Sequence, residues 1–167
     1  MNPDRYTFPD NIEEYLEEHN VLNLATSGED GPWSAAVFYA HYGRRFYFMS
    51  DPATTHGSHI VTSELAAASI HEDYADWQSI KGLQMSGRAW EVTDSRQQKI
   101  GLRAYFRKYS FAEAFFKAGF PERIAERMKK VRLFCFEPDR VFWLDNSKGF
   151  GKRITVYPPP DLPASEE

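Results

Sequence analysis

The sequence is poor in cysteine, in long apolar runs and in positive charge, and each shortage excludes a class of protein. Its one cysteine, Cys135, can form neither an intramolecular disulfide nor a cysteine-based zinc site. A lone thiol is typical of a reducing compartment, and the first residues contain no apolar segment of the signal-peptide kind, so we expect a cytoplasmic protein. No stretch approaches the roughly 18 apolar residues of a membrane-spanning helix, so we expect no membrane partner.

Charge and missing motifs remove further classes. The chain carries 24 acidic and 20 basic residues, a net charge of -4. Nucleic-acid readers usually carry a basic stripe, so we expect no nucleic-acid partner. The glycine pattern of a Rossmann dinucleotide site and the Gly-x-Ser-x-Gly elbow of many hydrolases are both absent from the sequence.

What the sequence does contain is the composition of one soluble domain with many aromatic residues. Its 167 residues fit a single domain, which we assign to residues 1–157, followed by a proline-rich acidic tail at 158–167. Aromatic residues make up 16% of the chain. That fraction favours a planar ligand, a subunit interface, or both.

Apolar residues mostly alternate with a period of two, which predicts a mainly β fold. Hairpin-like connections indicate an antiparallel sheet that closes into a small barrel with flanking helices. The predicted strands are 21–26, 33–41, 45–50, 65–71, 79–93, 131–136, 140–144 and 154–157. The predicted helices are 10–20, a short one through 56–60 capped by Thr54 or Thr55, 95–108, 111–117 and 122–130.

The turn after the third predicted strand is a candidate phosphate site. Hydroxyl side chains at Thr54 and Thr55 stand where a helix begins, and a helix start offers unpaired amides and a positive dipole end. His56 and His59 follow within the same turn and could add charge. The same histidines could instead ligate a metal or be ordinary polar residues, and we expect no metal site because no second ligand cluster has recognisable spacing.

Two strands contain residues suited to a flat ring. Small and aromatic residues alternate around Val37, Phe38 and Tyr39, where the backbone could approach a ring; simple packing under a helix explains the pattern equally well. Gln84 lies within an apolar strand, and a buried amide there would need a partner such as a cofactor carbonyl.

A glycine-rich basic run lies near the end of the domain. Residues 145–153 read Asp-Asn-Ser-Lys-Gly-Phe-Gly-Lys-Arg, so Lys152 and Arg153 could close over an anionic group. A solvated basic turn is the plain alternative. Cys135 lies in an apolar alternation and is interpreted as a small buried hydrophobe rather than a nucleophile.

These pieces together resemble the pyridoxamine-phosphate-oxidase-like flavin-binding split barrels, and within them a YhbP-like bacterial subgroup. The resemblance covers residues 11–156. The residues that carry it are Ala36-Val-Phe-Tyr39, the Phe46–Asp51 strand running to His56, Ile80–Gly87 and, above all, Asp145–Lys152.

The resemblance implies a six-stranded antiparallel split barrel that forms a homodimer with two FMN molecules between the subunits. It implies that the FMN phosphate is held between Ser50 and His59, and that Gln84 approaches the flavin. A flavin-dependent oxidoreductase with an unknown small-molecule substrate is the implied function. The alternatives left open are a non-catalytic flavin-binding protein, a haem-binding split barrel using His56 or His59, and a ligand-free dimer.

The chain departs from the family pattern in the phosphate turn, which has no basic residue. Losing a charge-assisted contact weakens phosphate binding by roughly 1.5–3 kcal/mol unless another group replaces it. The candidates for that replacement are His56, Lys81, Lys152 and Arg153. No catalytic residue is assigned, because the titratable candidates Tyr39, His41 and His56 are better explained as structural residues.

Overall fold

The computed structural model describes residues 2–112, 119 and 121–159. Most of the helix expected at 111–117 and of the tail expected at 158–167 lies outside these residues. The strands are β1 Val21–Gly28, β2 Gly31–Tyr42, β3 Arg45–Ser50, β4 Leu65–His71, β5 Lys81–Glu91, β6 Arg132–Asp145 and β7 Arg153–Tyr157. The helices are α1 Asp10–Glu18, α2 Thr55–Thr62, α3 Ser95–Lys108 and α4 Glu122–Met128.

The strands form one antiparallel sheet that closes on itself. Its order is β3-β2-β1-β4-β5-β6-β7, and an additional β3–β6 pairing joins the first strand of the series to the sixth. The predicted barrel is therefore confirmed. The strand number is seven rather than six, because β7 adds to the free part of β6 outside the closed ring.

One boundary prediction is wrong: residues 131–136 and 140–144 are not two strands but parts of β6. The intervening Glu137-Pro-Asp139 looked like a break because proline donates no ladder hydrogen bond. The ladder between β5 and β6 instead shifts register between Ser86 and Gly87. A Cβ at Gly87 would lie 2.2 Å from the Glu137 carbonyl oxygen, so the bulge requires glycine there.

The barrel interior absorbs much of the aromatic surplus. Every second residue of β3 and of the first half of β6 points inward, and the rings of Phe48 and Phe134 stack with centroids 5.4 Å apart. The largest fully buried side chains of this interior include Tyr39, Phe8, Phe46, Phe48, Phe134 and Phe136, whereas Tyr47 is buried in a separate cluster outside it. Packing therefore explains part of the aromatic fraction without a ligand.

The outside of the barrel has two unlike regions. Helix α3 covers β2 and β3, where Ala40 packs against Ala104, Tyr105 and Tyr109. On the far side the outward residues are mostly small and open to solvent. We call this region the bare face; it consists of Asn23, Ala25, Ser34, Ala36, Phe38, Leu65, Ala67, Ser69, Gln84, Ser86 and Phe142.

No helix in the described part of the chain is long and apolar enough to cross a membrane.

Candidate functional site

Three predicted phosphate residues meet at the end of β3. The Ser50 Oγ lies 2.7 Å from the His56 Nε2, and the Thr54 Oγ1 lies 3.3 Å from both of these atoms. Thr54 is also the N-cap of α2, since its hydroxyl accepts a hydrogen bond from the Gly57 amide. The prediction that Thr54 or Thr55 caps this helix is confirmed for Thr54, and Thr55 becomes the first helical residue. We call Ser50, Thr54 and His56 the hydroxyl–histidine cluster.

The cluster is polar but carries little positive charge. Burial, with a smaller contribution from His59, lowers the pKa of His56. A neutral imidazole is therefore the favoured form at neutral pH. Residues 51–63 contain no lysine or arginine, so the departure noted in the sequence has no replacement within the turn itself.

His59 does not belong to this cluster. Its Nε2 lies 2.6 Å from Asp30 Oδ1 and its Nδ1 lies 3.2 Å from Thr26 Oγ1, so the ring fastens α2 to the β1–β2 hairpin. A Cβ at Gly28 would lie 2.4 Å from the ring, so the backbone approaches it closely. His56 and His59 thus have different partners and do not form a shared ligand pair, and the described residues contain no group of three or more potential metal ligands.

The β2 residues divide between the interior and the outside. Val37 and Tyr39 are buried in the barrel, whereas Phe38 is 51% exposed on the bare face. The β2–β3 ladder begins only at Tyr39. In the described structure the Gly31–Phe38 edge of β2 therefore has no strand partner on that side. Val37 and Tyr39 can face a ligand there only through their backbone groups.

The position of Gln84 differs from the one predicted from the sequence. The prediction of a buried amide is wrong, because Gln84 is exposed on the outer side of β5 while Leu83 and Met85 point inward. Its Oε1 accepts a hydrogen bond of 3.3 Å from Arg153 Nη1, and the Arg153 guanidinium lies 6.0 Å from the Phe142 ring centroid. Residues along a strand point alternately to its two faces. Because Leu83 and Met85 point into the barrel, Gln84 between them points outward.

The glycine-rich run folds against the loop before β5. Asn146 Nδ2 donates to the Trp77 carbonyl at 2.7 Å, and the rings of Trp77 and Phe150 meet edge to face at 4.9 Å. Gly149 and Gly151 have φ values of 143° and 68°, which side-chain-bearing residues rarely adopt. Lys152 extends from this loop into solvent.

The hydroxyl–histidine cluster and the predicted basic residues Lys152 and Arg153 lie at different places along one chain. Ser50 pairs with Arg132 at the start of β6, and Arg153 pairs with Leu144 near its end. At about 3.3 Å per residue, the strand path between Arg132 and Leu144 approaches 40 Å. The register therefore places Lys152 and Arg153 toward the opposite end of β6 from the hydroxyl–histidine cluster of their own chain.

The titratable candidates inside the barrel serve structure. The Tyr39 hydroxyl donates to the Leu16 carbonyl at 3.0 Å, and burial raises the pKa of Tyr39 strongly. His41 Nε2 lies 2.8 Å from Glu13 Oε2.

Cys135 is fully buried, and burial raises the pKa of its thiol, which confirms its interpretation as a small hydrophobe.

Sequence reasoning missed His71. It is the one histidine of the five with an exposed ring, and its Nε2 accepts a hydrogen bond of 3.1 Å from Asn23 Nδ2 at the edge of the bare face. The alternation of β4 from Leu65 to His71 would have placed it outside.

With this geometry in place, comparison with known proteins defines the class. The family model for pyridoxamine 5'-phosphate oxidase matches residues 8–144, so the chain belongs to that family. It is also similar to the UPF0306 protein YhbP of Escherichia coli O157:H7, with 21% identity over 86% of this chain and 88% of the relative. The predicted YhbP-like subgroup is thereby confirmed.

Two solved structures share this fold, and their names refer to different ligands. The haem storage protein HutZ of Vibrio cholerae matches with a TM-score of 0.64 and 16% identity, over 81% of this chain and 93% of that one. An FAD-binding protein from Mesorhizobium loti matches with a TM-score of 0.58 and 16% identity, over 81% and 94%. At such identities the likeness concerns the fold alone.

Proposed function

We propose that the protein is a homodimeric FMN-binding split barrel whose flavin serves in oxidoreduction. The observation that carries the proposal is the hydroxyl–histidine cluster, which stands at the start of α2 and beside the unpaired edge of β2. A phosphate fits the cluster and a flat ring fits the neighbouring strand edge. The family membership makes this combination the expected one.

The cluster suits a phosphate for three reasons. The first amides of α2 and its dipole favour an anion. The hydroxyls of Ser50 and Thr54 can turn from their present partners and donate to phosphate oxygens. A phosphate beside His56 would also offset the burial that lowers its pKa, so the ring would take up a proton on binding.

A second copy of the chain completes the site. The cluster lacks a lysine or arginine, and Arg153 lies at the other end of β6. A two-fold arrangement about the bare face would carry each subunit's Lys152 and Arg153 toward the other subunit's cluster. The small outward residues Ala25, Ala36 and Ala67 would let the subunits and a ring approach the strands closely.

A bound flavin would supply hydride chemistry, with two electrons and one proton delivered by a reduced nicotinamide and passed on to an acceptor. The chain's own residues would bind and orient it. Phe38 and the β2 edge would border the ring, and the cluster would hold the phosphate. Gln84, which contacts Arg153, would offer its amide to the ring edge from the second copy.

The test is a titration of the purified protein with FMN, and separately with haemin, followed by absorbance. We expect FMN to bind, and Ser50→Ala/Thr54→Val to weaken it by about tenfold or more, in line with the loss of hydrogen bonds to a charged group. The matched control is Ser58→Ala/Thr62→Val on the outer side of α2, where affinity should not change.

Two results would replace the proposal. Haemin binding with a Soret band that disappears in His71→Ala would assign a haem site on the bare face. A colourless protein after either titration would leave a ligand-free dimer. Oxidation of reduced nicotinamides by the FMN-loaded protein separates an oxidoreductase from a flavin carrier.

A further inference from the structure

A cavity lies along α3, on the covered side of the barrel. Its volume is about 340 Å³, and it is lined by Tyr42, Ser95, Arg96, Lys99, Ile100, Arg103, Ala104 and Arg107. Cavities of this size hold small organic molecules. We propose that this cavity binds an elongated organic dianion, with one anionic group at each end and an apolar middle.

The charges of the cavity have no structural explanation. Arg96, Lys99, Arg103 and Arg107 follow one another at spacings of three or four residues, so each is a like-charged neighbour of the next on the helix surface. Of these four side chains, only Arg107 has a carboxylate partner among the described residues, Glu17 at 3.4 Å. The stripe also begins in the first turn of α3, where the helix dipole disfavours a cation.

A protein with a net charge of -4 therefore keeps four cations together where they repel one another. An anionic ligand bound among these cations would be attracted to each of them and would offset their mutual repulsion.

The arrangement of the cations selects the shape of the ligand. Arg96 and Lys99 precede Ile100, whereas Arg103 and Arg107 follow it, and Ile100 with the buried Ala104 forms an apolar floor between the two pairs. At 1.5 Å per residue the centres of the two pairs are about 11 Å apart along the helix. That span matches an unbranched dicarboxylate of about eight to ten carbons.

The cavity is separate from the proposed flavin site. Tyr42 pairs with Arg45 at the β2–β3 hairpin, while the hydroxyl–histidine cluster begins at Ser50 on the other end of β3. Five residues of strand correspond to about 17 Å. Binding of a dianion in the cavity is therefore independent of flavin binding.

The experiment is calorimetric titration of the full chain at low ionic strength with a series of carboxylates. Succinate, octanedioate and decanedioate vary the distance between the charges, and decanoate keeps the apolar chain with a single charge. We expect decanedioate or octanedioate to bind about tenfold or more tightly than decanoate and succinate.

Substitutions at the two ends test the assignment. Arg96→Ala/Arg103→Ala removes one cation from each end and should weaken the binding of decanedioate by about tenfold or more. The melting temperature should not fall, because both side chains are exposed and like-charged. Arg127→Ala/Lys130→Ala on and after α4 removes the same charge elsewhere and should change nothing.

Equal affinity for decanoate and decanedioate would overturn the proposal, as would undiminished binding of decanedioate by Arg96→Ala/Arg103→Ala. Failure of every carboxylate to bind would overturn it too. Tighter binding of a short DNA duplex than of any carboxylate, lost in the double variant, would reassign the stripe to nucleic acid.

Discussion

The two sides of the barrel exterior differ in what their small residues contact. Under α3, Ala40 and Gly101 are buried, and a Cβ at Gly101 would lie 2.5 Å from the Tyr47 ring. On the bare face, Ala25 and Ala67 are directly paired across β1 and β4 but open to solvent. Small residues are thus covered by a helix on one side of the barrel and exposed to solvent on the other.

We therefore expect substitutions on the covered side to affect stability and substitutions on the bare face to affect assembly. The covered side is completed within one chain by tightly packed contacts, so changes there should alter folding. At the margins of the bare face Phe38 meets the Tyr109 ring edge to face and Gln84 accepts a hydrogen bond from Arg153, whereas the central Ala67 is open to solvent. Changes at the centre should therefore leave folding intact and alter association. Soluble proteins rarely leave a broad sheet face of small and apolar residues uncovered.

The largest expected effect comes from Ala67→Glu in the middle of the bare face. A carboxylate buried without a partner in the proposed interface would separate the subunits and lower FMN affinity by about a hundredfold. Sedimentation velocity and FMN titration measure the two effects. Thr93→Glu, on an exposed loop, is the control; an unchanged dimer in Ala67→Glu would move the interface elsewhere.

On the covered side, Gly101→Val should destabilise the fold by about 1–3 kcal/mol, because its side chain would overlap Tyr47 and Leu133. Urea unfolding measures the loss. The subunit association and FMN affinity of the folded variant should stay those of the parent. Unaltered stability would show that α3 packs less closely than the contacts indicate.

Lys152→Ala/Arg153→Ala tests whether the two cofactor groups meet across the interface. We expect about tenfold weaker FMN binding at low salt, since charge-assisted contacts to the phosphate are lost. Lys129→Ala/Lys130→Ala removes two exposed cations away from the bare face and serves as the control. Equal affinity in both variants would discard a role for the loop.

The smallest effect concerns pH. The pKa of His56 is lowered in the folded protein, so near pH 6 the unfolded chain binds more protons and stability falls as pH decreases below about 6.5. His56→Gln should flatten the difference in melting temperature between about pH 7 and pH 5. A profile identical to that of the parent would show that His56 titrates normally.

Sequence patterns predicted the fold well because alternation and capping are local. The β3 bounds and the Thr54 cap of α2 both follow from neighbouring residues. The continuity of β6 through Pro138 could not be predicted, because it depends on a bulge against Gly87 in another strand.

The site was less predictable, because the sequence does not show which end of a barrel a residue occupies. Ser50, Thr54 and His56 meet since they are near neighbours in the chain. Arg153 contacts Gln84, but both lie far from that cluster along β6. Only the register of β6 with β3 and β7 reveals that two groups exist.

Light scattering of the FMN-saturated protein during gel filtration measures whether a second copy completes the flavin site. We expect a yellow species of about twice 19.3 kDa with one flavin per chain, and Ala67→Glu should elute colourless at the monomer mass. A yellow monomer of 19.3 kDa would contradict the claim that the site is completed by a second copy.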